Sequence, residues 1–467
     1  MAIPVQAMTM AGEPRAIPAS AIDDLRARLR GTLLRAGDPG YDESRHVWNG
    51  MIDRRPALIA QCAGTADVAL AVQFARTYDL LIAVRGGGHS FPGHSTCDGG
   101  LVIDLSPMRR VEVDPQDRRA RAEGGVRWGE LDRATQEHGL AVTGGQVSHT
   151  GIAGLTLGGG MGWLMREHGL TVDNVLTAEV VSADGAQLRA SAEDNPDLFW
   201  ALRGGGGNFG VVTRFEYQLH PVGPMLYGGL IGYPIAQAVN VFRDARDYLA
   251  TAPDALSATL ALLHSPEGQP LAGVVACYTG DLGSAEPVVA PLRRLSTPVM
   301  EQVGPIPYVA VQQMIDQVAA PGLRYYMRSN ILDRLDEETI GIAADHFARC
   351  PSPQSLVIFV QMGGAVARVA PEATAFPHRQ AAYSFTALSI WADPRADDDN
   401  IAWLRTLWAD VRPRLPNAVY VNELTGDEGE ARIRAAYGPA YERLSTVKRR
   451  YDPANVFRLN QNIALPA

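Results

Sequence analysis

The spacing of apolar residues changes along the chain, and the changes mark out elements. In residues 21–29 the apolar positions Ile22, Leu25 and Leu29 recur at helical spacing, which predicts an amphipathic helix. Residues 57–62 form a short apolar run read as a strand, and 65–78 read as a helix opening on a Thr65 cap with Asp67 two residues later. A second run, 81–84, leads into Arg85-Gly86-Gly87-Gly88-His89-Ser90, and a third, 101–103, follows it. Residues 120–123 and 178–185 read as β pieces, the latter closing on a turn-forming Asp184-Gly185. The first half is therefore α+β.

Pro221-Val222-Gly223-Pro224 breaks the pattern after a strand at 210–217. Beyond it come a strand, a helix, strands at 256–263 and 271–278, another helix, strands near 355–361 and 383–391, and a helix over 400–411. Long strands separated by surface helices predict one antiparallel sheet with helices on a single face. The tail, 427–467, returns to helix and ends in RYDPANVFRLNQNI, too rich in Asn and aromatics for a frayed end, so it is expected to dock. The expected organisation is a two-lobed cofactor-binding domain over 1–222, a substrate-binding domain over 223–415, and a C-terminal segment, 416–467, returning to the first domain.

With 467 residues, 46% hydrophobic and 20% charged, the chain can bury a large core. Its net charge of -9 argues against a nucleic-acid partner, because such binding draws on clustered Lys and Arg. The opening stretch lacks a basic segment followed by an apolar one, and nowhere do about 18 uncharged apolar residues run together, so a cytoplasmic protein without a membrane span is expected. Cys62, Cys97, Cys277 and Cys350 lack CxxC spacing, which predicts reduced, buried thiols. No metal site is expected: His89 and His94 have no carboxylate or third histidine at ligand spacing. Lys448 is the only lysine and carries no mechanism.

Three glycine clusters stand out: Gly86–Gly88, Gly158–Gly160 with Gly162, and Gly204–Gly207 with Gly210. Glycine lets backbone approach a ligand closely and lets successive amides converge on a phosphate, so three clusters in one half imply a large anionic cofactor. Gly205-Gly206-Gly207-Asn208-Phe209-Gly210 satisfies GxGxxG, but a helical stretch precedes it and a strand follows. A nicotinamide Rossmann site needs the reverse order, and it is rejected.

The segments RGGGHSFPGHST, GGQVSHTGIAGLTLGGGMGWLMREHGLTVDNV (144–175), DLFWALRGGGGNFGVVTRFEY (197–217), FPHR (376–379), YVNE (420–423) and YDPANVFRLNQNI (451–463) together resemble the berberine bridge enzyme-like flavoproteins of the vanillyl-alcohol oxidase superfamily. The motifs span nearly the whole chain and occur in the family's order. The resemblance implies FAD bonded through its 8α carbon to His89, with Arg85 to Ser90 (Gly86, Gly87 and Gly88 between) around the pyrophosphate. Many relatives add a second bond from a cysteine four residues before the G-x-G/A-G step. Val147 stands at that place here, so a single link is expected. Gly151, Gly154, Gly158, Gly159 and Gly162 would pass under the isoalloxazine ring. Asp173 and Asn174 would bond the loop or the cofactor, Val212 the adenine through its main chain, and Asn460 and Asn462 the flavin's pyrimidine edge. Thr150 holds the position of the family's oxygen gatekeeper, and its small size points to dioxygen as acceptor.

For catalysis the family's Y-x-N falls on Tyr420 and Asn422, which makes Tyr420 the expected base. A phenol of pKa about 10 is a poor base at neutral pH, so it needs a nearby positive charge or a hydrogen bond to the phenolate. Read as a strand, 420–423 puts Tyr420 and Asn422 on one face and Glu423 on the other. Glu423 is then a solvated outward carboxylate or else a second acid/base group. Its place is often aromatic in relatives. His149 is the second candidate for proton handling. The strand after FPHR lacks the amide or carboxylate that relatives use on substrate, so apolar contacts through Tyr383 or Phe385 are expected, with His378 and Arg379 bracing it.

These residues imply an FAD-dependent oxidoreductase, an oxidase before a dehydrogenase, acting on a small secondary-metabolite substrate. Sugar oxidation to a lactone is the alternative enzyme reading, and a flavin-scaffolded cyclase or isomerase without net redox turnover is the reading from another class. The expected assembly is a monomer or homodimer.

Overall fold

The computed structural model describes residues 4–465, so the first three and last two residues of the expected domain ranges lie outside it. The amino-terminal lobe holds two small two-stranded sheets and two large ones. In one, Thr32–Leu34, Leu58–Gln61, Leu101–Asp104 and Ile82–Arg85 lie side by side, the last two pairings parallel. The other is antiparallel, with Val111–Asp114, Arg119–Glu123, Val211–Gln218, Val175–Val181 and Gln187–Ala190 in spatial order. The helix Thr65–Thr77 packs Val68, Ala71 and Val72 into the same core as Ile103, Val181 and Val211, which joins the two sheets. Gly64, not Thr65, is its N-cap. The Thr65 hydroxyl bonds Thr213 at 3.1 Å, while Asp67 accepts from the backbone of Arg30, Gly31 and Ala63.

A seven-stranded antiparallel sheet forms the second lobe, in the order Met300–Pro307, Met225–Pro234, Pro270–Tyr278, Leu256–His264, Leu356–Gln361, Tyr383–Trp391, Arg324–Leu332. The helices Ala238–Leu249, Ala285–Arg293, Glu337–Phe347 and Asp397–Val411 share one core with it. Asp397, Asp398 and Asp399 fill the first turn of the last helix, where the helix dipole favours negative charge. Two strands escaped the sequence pattern, Met300–Pro307 and Arg324–Leu332. The first is an edge strand with a glycine, two prolines and no buried residue, and the second is buried on both faces, which erases the two-residue alternation.

The tail docks on the first lobe. Lys448 is fully buried and donates to Asp452 at 2.6 Å, to the Asn208 carbonyl at 2.7 Å and to the Phe457 carbonyl at 2.9 Å. Asp452 in turn accepts from the backbone N–H groups of Val456 and Phe457. The lone lysine, read as uninformative in the sequence, is the latch of the carboxyl-terminal segment.

Candidate active site

The strand Ile82–Arg85 delivers the first glycine loop against the turn that holds Gly151. A Cβ on Gly87 would lie 2.3 Å from the Gly151 nitrogen, and one on Gly151 would lie 2.3 Å from the Gly87 nitrogen, so the two loops touch backbone to backbone. Above them opens a cavity of about 440 Å³ whose wall includes Gly86, Gly87, Gly88, His89, Ser90, Val147, Thr150, Gly151 and Gly154. Gly210, Val211 and Val212, from the third glycine cluster and the strand after it, also border it, as do Asn460 and Gln461 of the tail. Residues more than three hundred positions apart thus meet on one surface.

His89 stands in the partition between this cavity and a second of about 720 Å³ bordered by Arg45, Arg85, Arg127 and His149. Its ring stacks on Trp48, centroids 4.3 Å apart, and Trp48 stacks on Tyr325 at 3.7 Å. His89 Nε2 lies 2.9 Å from His149 Nδ1. Burial first, then the neighbouring His149 and Arg127, hold the His89 imidazole well below its ordinary pKa, so it is neutral and one ring nitrogen keeps a lone pair. His149 borders the second cavity and meets the first only through His89.

Tyr420 and Asn422 do share one face, but the backbone is a 3-10 turn, Val421–Glu423, with Tyr420 as its N-cap. Asn422 Nδ2 donates to the Tyr420 hydroxyl at 2.8 Å and to the Leu155 carbonyl at 3.1 Å, and the Gly160 N–H donates to the same hydroxyl at 2.8 Å. Burial still pushes the phenol far above its ordinary value, and Glu423 adds to the shift. With three residues per turn, positions 420 and 423 fall on the same side. Glu423 is therefore not an outward, solvated carboxylate. It borders the cavity, accepts from Ser329 Oγ and from Thr386 Oγ1 at 2.9 Å, and burial raises its carboxyl above the ordinary range.

The floor of the cavity is the seven-stranded sheet. Register places Ser329, Thr386 and Ile358 side by side on adjacent strands, and Met327, Leu388 and Leu356 in the next row. That face, with Ile390 and Val360, borders the cavity. Tyr383 and Phe385 point the other way, into the helix-side core, where Phe385 stacks on Phe359 at 4.9 Å. The apolar contacts expected of Tyr383 or Phe385 come instead from Leu388 and Ile390, on the other face of the same strand. His378 Nε2 lies 3.0 Å from the Val419 carbonyl, so it fastens the approach to Tyr420.

Several residues expected at the cofactor serve the frame. Asp173 forms a two-pronged ion pair with Arg379 at 2.7 and 2.8 Å, and Asn174 donates to the carbonyls of His168 and Leu170; neither borders the cavity. Gly158 and Gly159 lie behind the cavity wall, making room for Asn422 and for Phe376 with Tyr420, while Gly162 passes against the Gly144 carbonyl. Asn462 is outside the lining, and Arg85 donates to the Ser44 carbonyl and borders the second cavity. Sequence reasoning missed Trp48, Ser329 and Thr386, whose roles depend on partners far along the chain.

The remaining wall suits a dinucleotide. A Cβ at Gly154 or Gly207 would meet no atom within 4 Å, so glycine there keeps open a space the protein does not fill. Ser95 and Asn460 border it with buried side-chain oxygens that have no hydrogen-bond partner. Cys97 is buried away from the lining, and burial pushes its thiol up to about 12. Among the described residues no helix is long and apolar enough to cross a membrane.

Residues 56–191 match the family model of an FAD binding domain, and residues 419–464 match the model described as berberine and berberine like. An FAD-linked oxidoreductase of Dictyostelium discoideum is 32% identical over 447 residues, 95% of this chain and 96% of the relative. The (R)-6-hydroxynicotine oxidase of Paenarthrobacter nicotinovorans is 32% identical over 457 residues, covering 93% of this chain and 97% of that one. The crystal structure of 6-hydroxy-D-nicotine oxidase from Arthrobacter nicotinovorans superposes with a TM-score of 0.86 at 30% identity, over 93% of this chain and 98% of its own.

Proposed function

The chain belongs to the FAD-linked oxidoreductases of the berberine bridge enzyme-like family, and on that premise we propose that it oxidises a C–H carbon of a small secondary-metabolite substrate, with FAD held by one covalent bond to His89. The observation that carries this reading is the single cavity bordered at once by His89, the glycine loops, Thr150, Tyr420 and Asn422. FAD, when bound, would supply the two-electron acceptor for the substrate carbon's hydride.

The protein's share is binding and proton handling. His149 occupies Nε2 of His89, which leaves Nδ1 as the nitrogen for the 8α carbon. Val147 stands in the lining where a second tether would need a sulfur, so one bond is the expected count. Tyr420 is assigned to receive the substrate's proton. The N–H of Gly160 and the amide of Asn422 already donate to its oxygen, the arrangement a phenolate needs. Thr150, a small residue of the cavity wall, would leave the cofactor's reactive edge open to dioxygen, and its size supports an oxidase. The apolar floor formed by Met327, Leu356, Ile358, Leu388 and Ile390 disfavours the sugar alternative, because a polyhydroxylated ring would lose water there without compensating partners.

Acid denaturation followed by intact mass tests the reading. The wild-type polypeptide keeps its yellow colour and gains the mass of one FAD, and His89→Ala loses both. Flavin that washes off the wild type refutes the tether, and protein purified without flavin refutes the cofactor assignment.

A further inference from the structure

Among the residues bordering the cavity, Glu423 is the only aspartate, glutamate, lysine or arginine. His89 and His94 are the histidines there, and burial holds both neutral, His94 down to about 4. The Glu423 carboxylate is built in: Ser329 and Thr386, direct neighbours across two strands, both donate to Oε2. Among the described residues no hydrogen bond falls on Oε1, the Ser384 hydroxyl is a third donor close to the carboxyl, and no arginine or lysine forms an ion pair with the group. A carboxylate left without a cation in a mostly apolar wall is costly, and beyond these hydroxyls the protein offers no charge to offset it. Tyr420 has no cation beside it either. Gly160 and Asn422 already hydrogen-bond its oxygen, and a positive charge nearby would offset the burial that raises its pKa, but no side chain on the cavity wall carries one.

One feature of a ligand meets both needs. We propose that Glu423 selects a cationic substrate, an apolar scaffold bearing a protonated amine, whose ammonium group binds Oε1 while its carbon skeleton lies on the sheet floor. The inference rests on the oxidoreductase reading of this cavity and narrows its substrate class. The carboxylate reaches the floor from the 420–423 turn, and Thr386 and Ser329, which occupy the floor itself, serve as its donors. Glu423 is thus a specificity-determining residue, and the substrate brings the positive charge that the protein omits.

The test is calorimetric titration of the holoprotein at neutral pH with benzyldimethylamine, which is then an ammonium ion, and with benzyl methyl ether, a neutral compound of similar shape. The wild type binds the ammonium at least about tenfold tighter than the ether, as a charge-assisted hydrogen bond requires. Glu423→Gln abolishes that preference and leaves ether binding within about twofold of wild type. Thr386→Val keeps the charge and keeps the preference. Equal affinities in the wild type overturn the proposal without any variant, as does a preference that survives in Glu423→Gln. Loss of the preference in Thr386→Val as complete as in Glu423→Gln also overturns it, since the hydroxyl and not the charge would then select the ligand. The visible spectrum of the same samples separates the two readings. Absent flavin refutes the oxidoreductase assignment, whereas flavin present without ammonium preference refutes the role of Glu423 alone.

Discussion

Replacing Lys448 with methionine keeps the stem's volume and removes the buried charge. Three acceptors then lose the ammonium: Asp452 Oδ2 at 2.6 Å and the carbonyls of Asn208 and Phe457 at 2.7 and 2.9 Å. Lys448 and Asp452 are both fully buried, so the aspartate would be left as an uncompensated charge, which costs about 3–5 kcal/mol. The loss falls on the tail, because these contacts join the helix Tyr441–Tyr451 to residues 452–463 and to the third glycine cluster. Hydrogen exchange of the peptide spanning 452–463 reads it locally. At about 1.4 kcal/mol per tenfold, protection drops roughly 10²-fold to a few times 10³-fold. Asn460 and Gln461 border the cavity, so its wall loosens with the tail. Lys448→Met combined with Asp452→Asn, which removes both charges and keeps an acceptor for one of the Val456 and Phe457 N–H groups, recovers at least about tenfold of the protection. A single variant that loses less than about tenfold, or a double variant no better than the single, refutes the latch.

Two further outcomes follow from the site's geometry. His149→Ala removes the partner of His89 Nε2, so the fraction of acid-stable flavin falls while total flavin in the native protein holds; an unchanged acid-stable fraction would show that the pair does not prepare the tether. Gly158→Ala places a methyl group 2.1 Å from Asn422 Oδ1, which displaces Asn422 from Tyr420 and lowers turnover by about 10²-fold with flavin content intact. Wild-type turnover in that variant would remove Asn422 from the working site.

The site was legible in the sequence wherever function needs a local backbone property. Gly87 and Gly151 must be glycine because their backbones touch, and that need shows as clusters between apolar runs. The reversed helix-to-strand order around Gly205–Gly210 appears as read, with Pro196–Leu202 before and Val211–Gln218 after. Tyr383–Trp391 was legible as a strand, yet its facing was not. Two-residue alternation divides a strand into two sides, and both sides here are buried, one against helices and one against the cavity.

Local sequence encodes the α+β order of elements, the glycine loops, the place of His89 after the first of them and, through motifs in order, the flavoprotein family. Those features are encoded within a few residues of one another. Tertiary structure alone decided which groups meet: His149 with His89, Lys448 with Asn208, and Ser329 and Thr386 with Glu423. It also decided that 420–423 is a turn of three residues and not a strand, which brings the only charge into the cavity wall. Such facts depend on how distant segments pack and which face each element buries. Local propensity and spacing fix the period of a segment but not the partner it meets, and that partner is where the chemistry of this site resides.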